Sequence, residues 1–227
     1  MKKIVIGLSG GLDSTTLLAT LLEKGFEVHC CLFYYGSKHG ELERKAAEEI
    51  IKYYQYQNAL VIEHKFNIKN IFDGVGSALL LNDDKIPTGH YAAENMKSTV
   101  VPGRNLIFLS IMASIAENIN AKYIGLGVHA GDHHIYPDCR PEFIKATMEA
   151  ILKSTENKVS IITPFLNLSK SGILAEGMLL KLKVPYELTR TCYTSEKVAC
   201  GKCGSCIERL EAFEINDIKD PIEYDFD

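Results

Sequence analysis

Ile4, Val5, Ile6 and Leu8 form an apolar run of the kind found in a strand buried on both faces. Leu17, Leu18, Leu21 and Leu22 then recur at helical spacing and predict a helix with one buried stripe. Phe26–Tyr34 reads as a second strand. Glu41–Tyr54 reads as an amphipathic helix that buries Leu42, Ala46, Ala47, Ile50, Ile51 and Tyr54. Leu60–Phe66 supplies a third strand, Lys122–Gly127 a fourth and Val159–Thr163 a fifth. Helices are predicted over Leu106–Ile119, Glu142–Leu152 and Leu168–Leu182. The Leu106–Ile119 segment is apolar on most sides, so it is expected deep in the core.

This βαβ rhythm predicts an α/β fold: a mostly parallel, five-stranded sheet with helices on both faces. Ligands of such sheets bind beyond the carboxyl ends of the strands. Asn67–Gly103 is irregular, rich in Gly, Asn, Asp and Lys, and too long for a plain connection, as lids and binding loops often are.

Composition narrows the class. The chain has 227 residues, 46% hydrophobic and 24% charged, which suits a globular domain carrying an appendage. The division is expected at residues 1–185 and 186–227. No apolar run approaches the roughly 18 residues of a membrane helix. Met1-Lys2-Lys3 precedes too short an apolar stretch for a signal peptide, so a cytoplasmic protein is expected. The net charge is −4, and the 25 basic residues are spread rather than clustered, which argues against direct nucleic-acid binding. Seven cysteines without an export signal point to metal or thiol chemistry rather than disulfides.

The first strand leads into Ser9-Gly10-Gly11-Leu12-Asp13-Ser14. Two glycines allow a sharp turn and a close approach to a ligand. The free N–H groups and positive dipole end of the following helix favour a phosphate. No Gly-Lys-Ser/Thr follows, so this is not a Walker A loop, and the third glycine of a dinucleotide fingerprint is missing. The plainer alternative is a strand-turn-helix whose serine caps the helix.

Cys192, Cys200, Cys203 and Cys206 follow a C-x7-C-x2-C-x2-C pattern. Four thiolates fill a tetrahedral sphere and leave no position for a catalytic water, so a structural zinc site is expected, with an iron–sulfur cluster or a redox pair as competitors. Cys30 and Cys31 sit mid-strand and read as small core residues.

The hexad resembles the pyrophosphate loop of the PP-loop ATP pyrophosphatases. Six further motifs extend the likeness almost end to end: Tyr35-Gly36 with His39 and Glu41, Val101–Asn105, Gly127–Phe143, Leu168-Ser169-Lys170, Val184–Thr189 and Cys192–Cys206. Together they resemble the 7-cyano-7-deazaguanine synthases of that superfamily. The resemblance implies an adenine nucleotide α-hydrolase-like, Rossmann-like fold plus a small C-terminal zinc-binding helical region. It implies a homodimeric, ATP-dependent ligase that converts 7-carboxy-7-deazaguanine and ammonia to the nitrile in queuosine or archaeosine precursor synthesis. ATP, Mg²⁺ and Zn²⁺ are the implied cofactors.

In that resemblance Ser9, Gly10, Gly11 and Ser14 grip pyrophosphate, flanked by Leu8, Leu12 and Thr15, and Asp13 sits where magnesium would be. Arg104 offers a guanidinium fork for a phosphate or carboxylate. Lys170, unpaired at a helix start that disfavours cations, is expected to neutralise the α-phosphate or pyrophosphate. Asp132, Asp138 and Arg140 are expected to read the base edge, with Tyr136 or Phe143 as an apolar wall. Cys139 is not needed as a nucleophile, because the activated amide can lose AMP directly. His129, His133 and His134 fall in an expected loop, where substrate contact or solvation is favoured over metal.

The family commonly has glutamine and arginine where this chain has Ser37-Lys38, and a small-then-acidic pair where it has Ser171-Gly172. Two relatives of this chemistry remain open as alternatives: an enzyme attaching the deazaguanine acid to a protein amine, and a tRNA-thiolating cousin.

Overall fold

The computed structural model describes residues 2–81, 85–194 and 196–226. Five strands are connected as β1 (Lys2–Gly7), β2 (Phe26–Tyr34), β3 (Val61–Asn67), β4 (Tyr123–Gly125) and β5 (Ser160–Ile162). They form one sheet of order β3-β2-β1-β4-β5, with every neighbouring pair parallel. The helices are α1 (Leu12–Glu23), α2 (Gly40–Tyr56), α3 (Arg104–Asn118), α4 (Pro141–Ser154), α5 (Lys170–Leu179) and α6 (Gly204–Ile215).

Strand alternation sorts the helices into two layers. Ile4 and Ile6 face a core shared by the leucines of α1, Ile50 and Ile51 of α2, Ile173 and Leu174 of α5, and Ala212 and Phe213 of α6. Val5 and Cys31 face the opposite core, with Leu109 and Met112 of α3 and Ile144 and Ile151 of α4. The C-terminal region is thus continuous with the first core through Tyr186, Ala212 and Phe213. Arg209, fully buried, fastens it. Its Nε and Nη2 donate to the two carboxylate oxygens of Asp220 at 2.7 and 2.9 Å, and Nη1 donates to Thr189 Oγ1 at 2.6 Å.

Three expectations are corrected. First, α3 is not deep in the core: it buries Leu109, Met112, Ala113 and Ala116 on one side and leaves Leu106 46% exposed on the other. Its outward face carries Leu106 with Ser110, Ser114 and Glu117, while Ile107, Phe108 and Ile115 are half-buried against the cores. Second, the predicted helix to Leu182 stops at Leu179. Leu180 turns to an extended backbone, and Leu182 packs against the core while its N–H donates to Glu23 Oε2. Third, the long segment after β3 is less irregular than expected. It holds two 3₁₀ turns, Lys69–Phe72 and Glu94–Thr99, and a small core of Phe72, Leu79, Leu80 and Val101 around Tyr35. Residues 82–84 of that segment lie outside the described residues.

Strand order reverses beside β1, between the β2 and β4 sides, which opens the crevice where doubly wound sheets bind ligands. The Ser9–Ser14 turn lies there, and two glycines make it possible. Gly10 has φ +80°, and a Cβ on it would come within 2.7 Å of Ala47 N and 2.9 Å of the Glu43 carbonyl on α2. Gly127, just past β4, approaches Asp13 and Ser14 so closely that a Cβ would sit 3.1–3.2 Å from their backbone.

Gly10→Ala is therefore expected to destabilise the fold by at least about 1–3 kcal/mol for the left-handed backbone alone. A lower urea midpoint at unchanged m-value would register it.

Candidate active site

A cavity of about 450 Å³ opens at this crevice, a size typical of small-molecule sites. One end is the Ser9–Ser14 turn. Ser9 Oγ accepts from Gly11 N at 3.2 Å and lies 3.1 Å from Ser14 Oγ, which also accepts from Ser9 N at 3.3 Å. Thr15 Oγ1 donates back to the Gly11 carbonyl. No side chain caps α1, so the N–H groups of its first turn, which have no intrahelical acceptor, face the cavity mouth. Ser9, Gly11, Asp13, Ser14 and Leu8 line the space, whereas Gly10, Leu12 and Thr15 are turned into the supporting structure.

A charged cluster sits beside the turn. Lys170, the first residue of α5 behind the Ser169 cap, is not unpaired as expected. Its Nζ lies 2.6 Å from Glu208 Oε2 and 3.4 Å from Asp13 Oδ2. Burial opposes the charge, but Asp13 and Glu208 outweigh it and hold the lysine pKa above its ordinary 10.5. The helix-start dipole is thus countered by two carboxylates. Asp13 Oδ1 is buried with no partner, an orphaned acceptor that fits a divalent cation.

His129 completes the cluster. It is buried, and its Nε2 stands 3.7–3.8 Å from carboxylate oxygens of Asp13, Asp132 and Glu208. The expected loop is a 3₁₀ turn over Ala130–His134 that His129 caps through Nδ1, accepting from Gly131 N. Solvation, one of the two readings for these histidines, does not describe His129.

The other end of the cavity is aromatic, lined by Phe33, Tyr35, Phe66, Phe108 and Tyr136. Phe33 and Phe108 stack at 4.1 Å between ring centroids. Arg104, the first residue of α3, crosses this end. Its Nη1 donates to Tyr35 Oη at 3.3 Å, its guanidinium lies 5.6 Å from the Tyr35 ring centroid, and its buried Nε has no acceptor. Tyr136 Oη is within 2.9 Å of Thr99 Oγ1 and 3.1 Å of Tyr193 Oη.

Asp132 and Tyr136 therefore line the cavity, but Asp138, Arg140 and Phe143 do not. Asp138 instead caps α3, its Oδ2 accepting from Asn105 N at 2.9 Å. Arg140 Nε donates to the His133 carbonyl, and Phe143 packs in the second core. Cys139 lines the cavity, yet burial, with Asp132 and Asp138 nearby, pushes its thiol well above the usual range and keeps it neutral. Glu208 was not singled out from sequence, and His129 was noted there only as a residue for substrate contact or solvation.

The four C-terminal cysteines converge: their sulfurs all lie within 4.8 Å of one another, and all four residues are buried. Four metal–sulfur bonds of about 2.3 Å put the corners of a tetrahedron about 3.8 Å apart, so the donor set fits a metal. Backbone N–H groups of Cys200 and Cys203 point at Cys192 Sγ and Cys200 Sγ, 3.3 and 3.4 Å away. Residues from the long segment pack against it: Thr88 pairs with Cys203, and Gly89 N donates to the Lys202 carbonyl. No helix among the described residues is long and apolar enough to cross a membrane.

A parallel, doubly wound sheet with an anion cradle at its switch point defines a nucleotide-binding α/β protein. Comparison with known proteins is more specific. Residues 3–217 match the family model described as queuosine biosynthesis protein QueC, and the chain belongs to that family. It is 45% identical over 226 residues to 7-cyano-7-deazaguanine synthase 2 of Colwellia psychrerythraea, covering 99% of each chain. It is 43% identical to the 7-cyano-7-deazaguanine synthase of Pseudoalteromonas atlantica, covering 99% of this chain and all of that one. Among solved structures, the U34-tRNA thiolase NcsA of Methanococcus maripaludis overlaps with a TM-score of 0.49 at 17% identity, covering 95% of this chain and 65% of that one. That overlap is too loose to bear on function.

Lys170→Met would leave Asp13 and Glu208 in a buried site without their cation. It is expected to cost about 3–5 kcal/mol at pH 8. In the native protein Lys170 contributes fully below its ordinary pKa of 10.5 and loses its contribution only as pH rises beyond that. Urea titrations of both proteins at two pH values would check the sign.

Proposed function

We propose that this chain is an ATP-dependent ligase that converts 7-carboxy-7-deazaguanine and ammonia to 7-cyano-7-deazaguanine. The observation that carries the proposal is near end-to-end identity of 45% and 43% to proteins named for that synthase activity. The family description, queuosine biosynthesis, agrees. Neither alternative acceptor, a protein amine or a tRNA base, is favoured by those names.

The chemistry suits a cavity with an anion cradle at one end and an aromatic slot at the other. A carboxylate resists ammonia because its leaving group would be oxide. Transfer of AMP to the acid creates a good leaving group, and pyrophosphate departs into the Ser9–Ser14 cradle, where fixed N–H donors meet the developing charge. Lys170 neutralises phosphate charge beside it. The orphaned Asp13 Oδ1 supports Asp13 as a ligand for Mg²⁺, which when bound would screen the polyphosphate. Arg104 Nε supports an anion at the aromatic end, where it would hold the acid's carboxylate. Asp132 and Tyr136 face that space and would read the base edge and wall its ring. Asp138 would act indirectly, by holding the start of α3 and hence Arg104. A second adenylation, on the amide oxygen, and loss of AMP leave the nitrile.

The four-sulfur site is read as zinc, held by Cys192, Cys200, Cys203 and Cys206 and contributing folding energy to the C-terminal region. Reduced thiols and small soluble substrates suit the cytoplasm. A homodimer is proposed on the family resemblance alone.

Protein incubated with the acid, ammonium, Mg²⁺ and ATP should yield the nitrile and two AMP for each nitrile by mass spectrometry. AMP without amide or nitrile would move the acceptor to a protein or RNA. Arg104→Lys should raise KM for the acid by roughly tenfold or more, the cost of a lost charge-assisted hydrogen bond. As isolated, the protein should carry one zinc per chain, and Cys203→Ser should lose it and become protease-sensitive beyond Thr189. A fully folded variant that kept its zinc would refute the ligand set.

A further inference from the structure

Arg190 is a cation at the phosphate end of the cavity to which the chemistry above gives no role. Its backbone N–H donates to the Gly10 carbonyl at 2.8 Å, and its own carbonyl would lie 3.5 Å from a Cβ on Gly11. The residue therefore packs along the cradle, and it lines the cavity with Ser9 and Gly11. Its guanidinium reaches into the loop between Cys192 and Cys200. Nη1 donates to the Lys197 carbonyl at 3.1 Å, and Nη2 donates to the carbonyls of Thr194 and Glu196.

Two features set this side chain apart from Lys170. Neutral carbonyls alone hold it: among the described residues, no carboxylate forms an ion pair with it. Its Nε–H is buried and has no acceptor, although both Nη groups are engaged by loop carbonyls. A guanidinium with no carboxylate partner and a buried donor unspent, fixed beside a cradle built for anions, suits a negative acceptor. Pyrophosphate is the anion that the cradle would hold.

We infer that Arg190 is an anion-binding residue of the pyrophosphate cradle, held in orientation by the cysteine loop. The four-cysteine site then does more than stabilise the C-terminal region. By fixing the loop between Cys192 and Cys200, it fixes the carbonyls that hold the guanidinium beside the cradle. The inference rests on the assignment of Ser9–Ser14 as a pyrophosphate cradle.

The test is calorimetric binding of inorganic pyrophosphate with Mg²⁺ to the full chain, compared with Arg190→Ala and Arg190→Lys, with metal content and Tm measured in parallel. Both variants should bind at least about tenfold more weakly, about 1.4 kcal/mol. Lysine should fail with alanine, because one ammonium cannot both hold three carbonyls and present a donor at the Nε position. Stripping the metal from the wild-type chain should weaken pyrophosphate binding, with little further effect in either variant. Variants that lose Tm or metal but bind pyrophosphate like the wild type would overturn the inference and leave Arg190 a strut of the cysteine loop. A wild-type chain that does not bind pyrophosphate would instead remove the cradle, and the inference with it.

Discussion

The site depends on one steric constraint: the turn after β1 is squeezed between α2 and the end of β4, with no room for a side chain at either wall. Gly10 allows α2 to press its backbone against the turn, and Gly127 allows the chain leaving β4 to pass beneath Asp13 and Ser14. Packing this close fixes the first turn of α1 and its N–H groups. A cradle set by backbone contacts is preorganised, so its donors need not reorganise when charge develops. Everything else in the cavity is placed relative to that turn.

Two charged arrangements flank it, and they differ in kind. Lys170 already has two carboxylate partners, Asp13 and Glu208, before any nucleotide arrives. Arg104 and Arg190 are open: each has a buried Nε–H without an acceptor, one at the aromatic end and one at the cradle. In the proposed reaction the acid's carboxylate would meet the first and ATP's polyphosphate the second. The C-terminal region supplies Glu208 to the first arrangement and Arg190 to the second, so it lines the cavity as well as completing the fold. Arg209 and its bonds to Asp220 and Thr189 hold that contribution in place.

Much of this was legible in the sequence because it is local. The alternation of apolar strands and periodic helices reported the parallel sheet, and the Ser9–Ser14 turn and cysteine spacings are contiguous motifs. The helix ends and α3 were less legible. The α3 run read as deeper than it is because Ser110, Ser114 and Glu117, spaced by helical turns, give it an outward face that the apolar residues between them mask. Asp138 and Arg140 stand in the expected segment, but the 3₁₀ turns around them direct their side chains to α3 and to His133 rather than into the cavity. The partners of Lys170 were invisible because Glu208 arrives from a helix 38 residues further on. A signal did exist: Glu208 lies between Ser205 and Ala212 on the buried side of α6, where a carboxylate needs a partner.

The most direct test of the account follows the oxygen atoms. With 7-carboxy-7-deazaguanine labelled with ¹⁸O in its carboxylate, turnover should deliver label to the phosphate of AMP, with unlabelled pyrophosphate as the other product. That result requires the acid oxygen to attack the α-phosphorus while pyrophosphate leaves into the cradle. Formation of ADP and labelled inorganic phosphate would place the attack on the γ-phosphorus and contradict the assignment of Ser9–Ser14 as the pyrophosphate site.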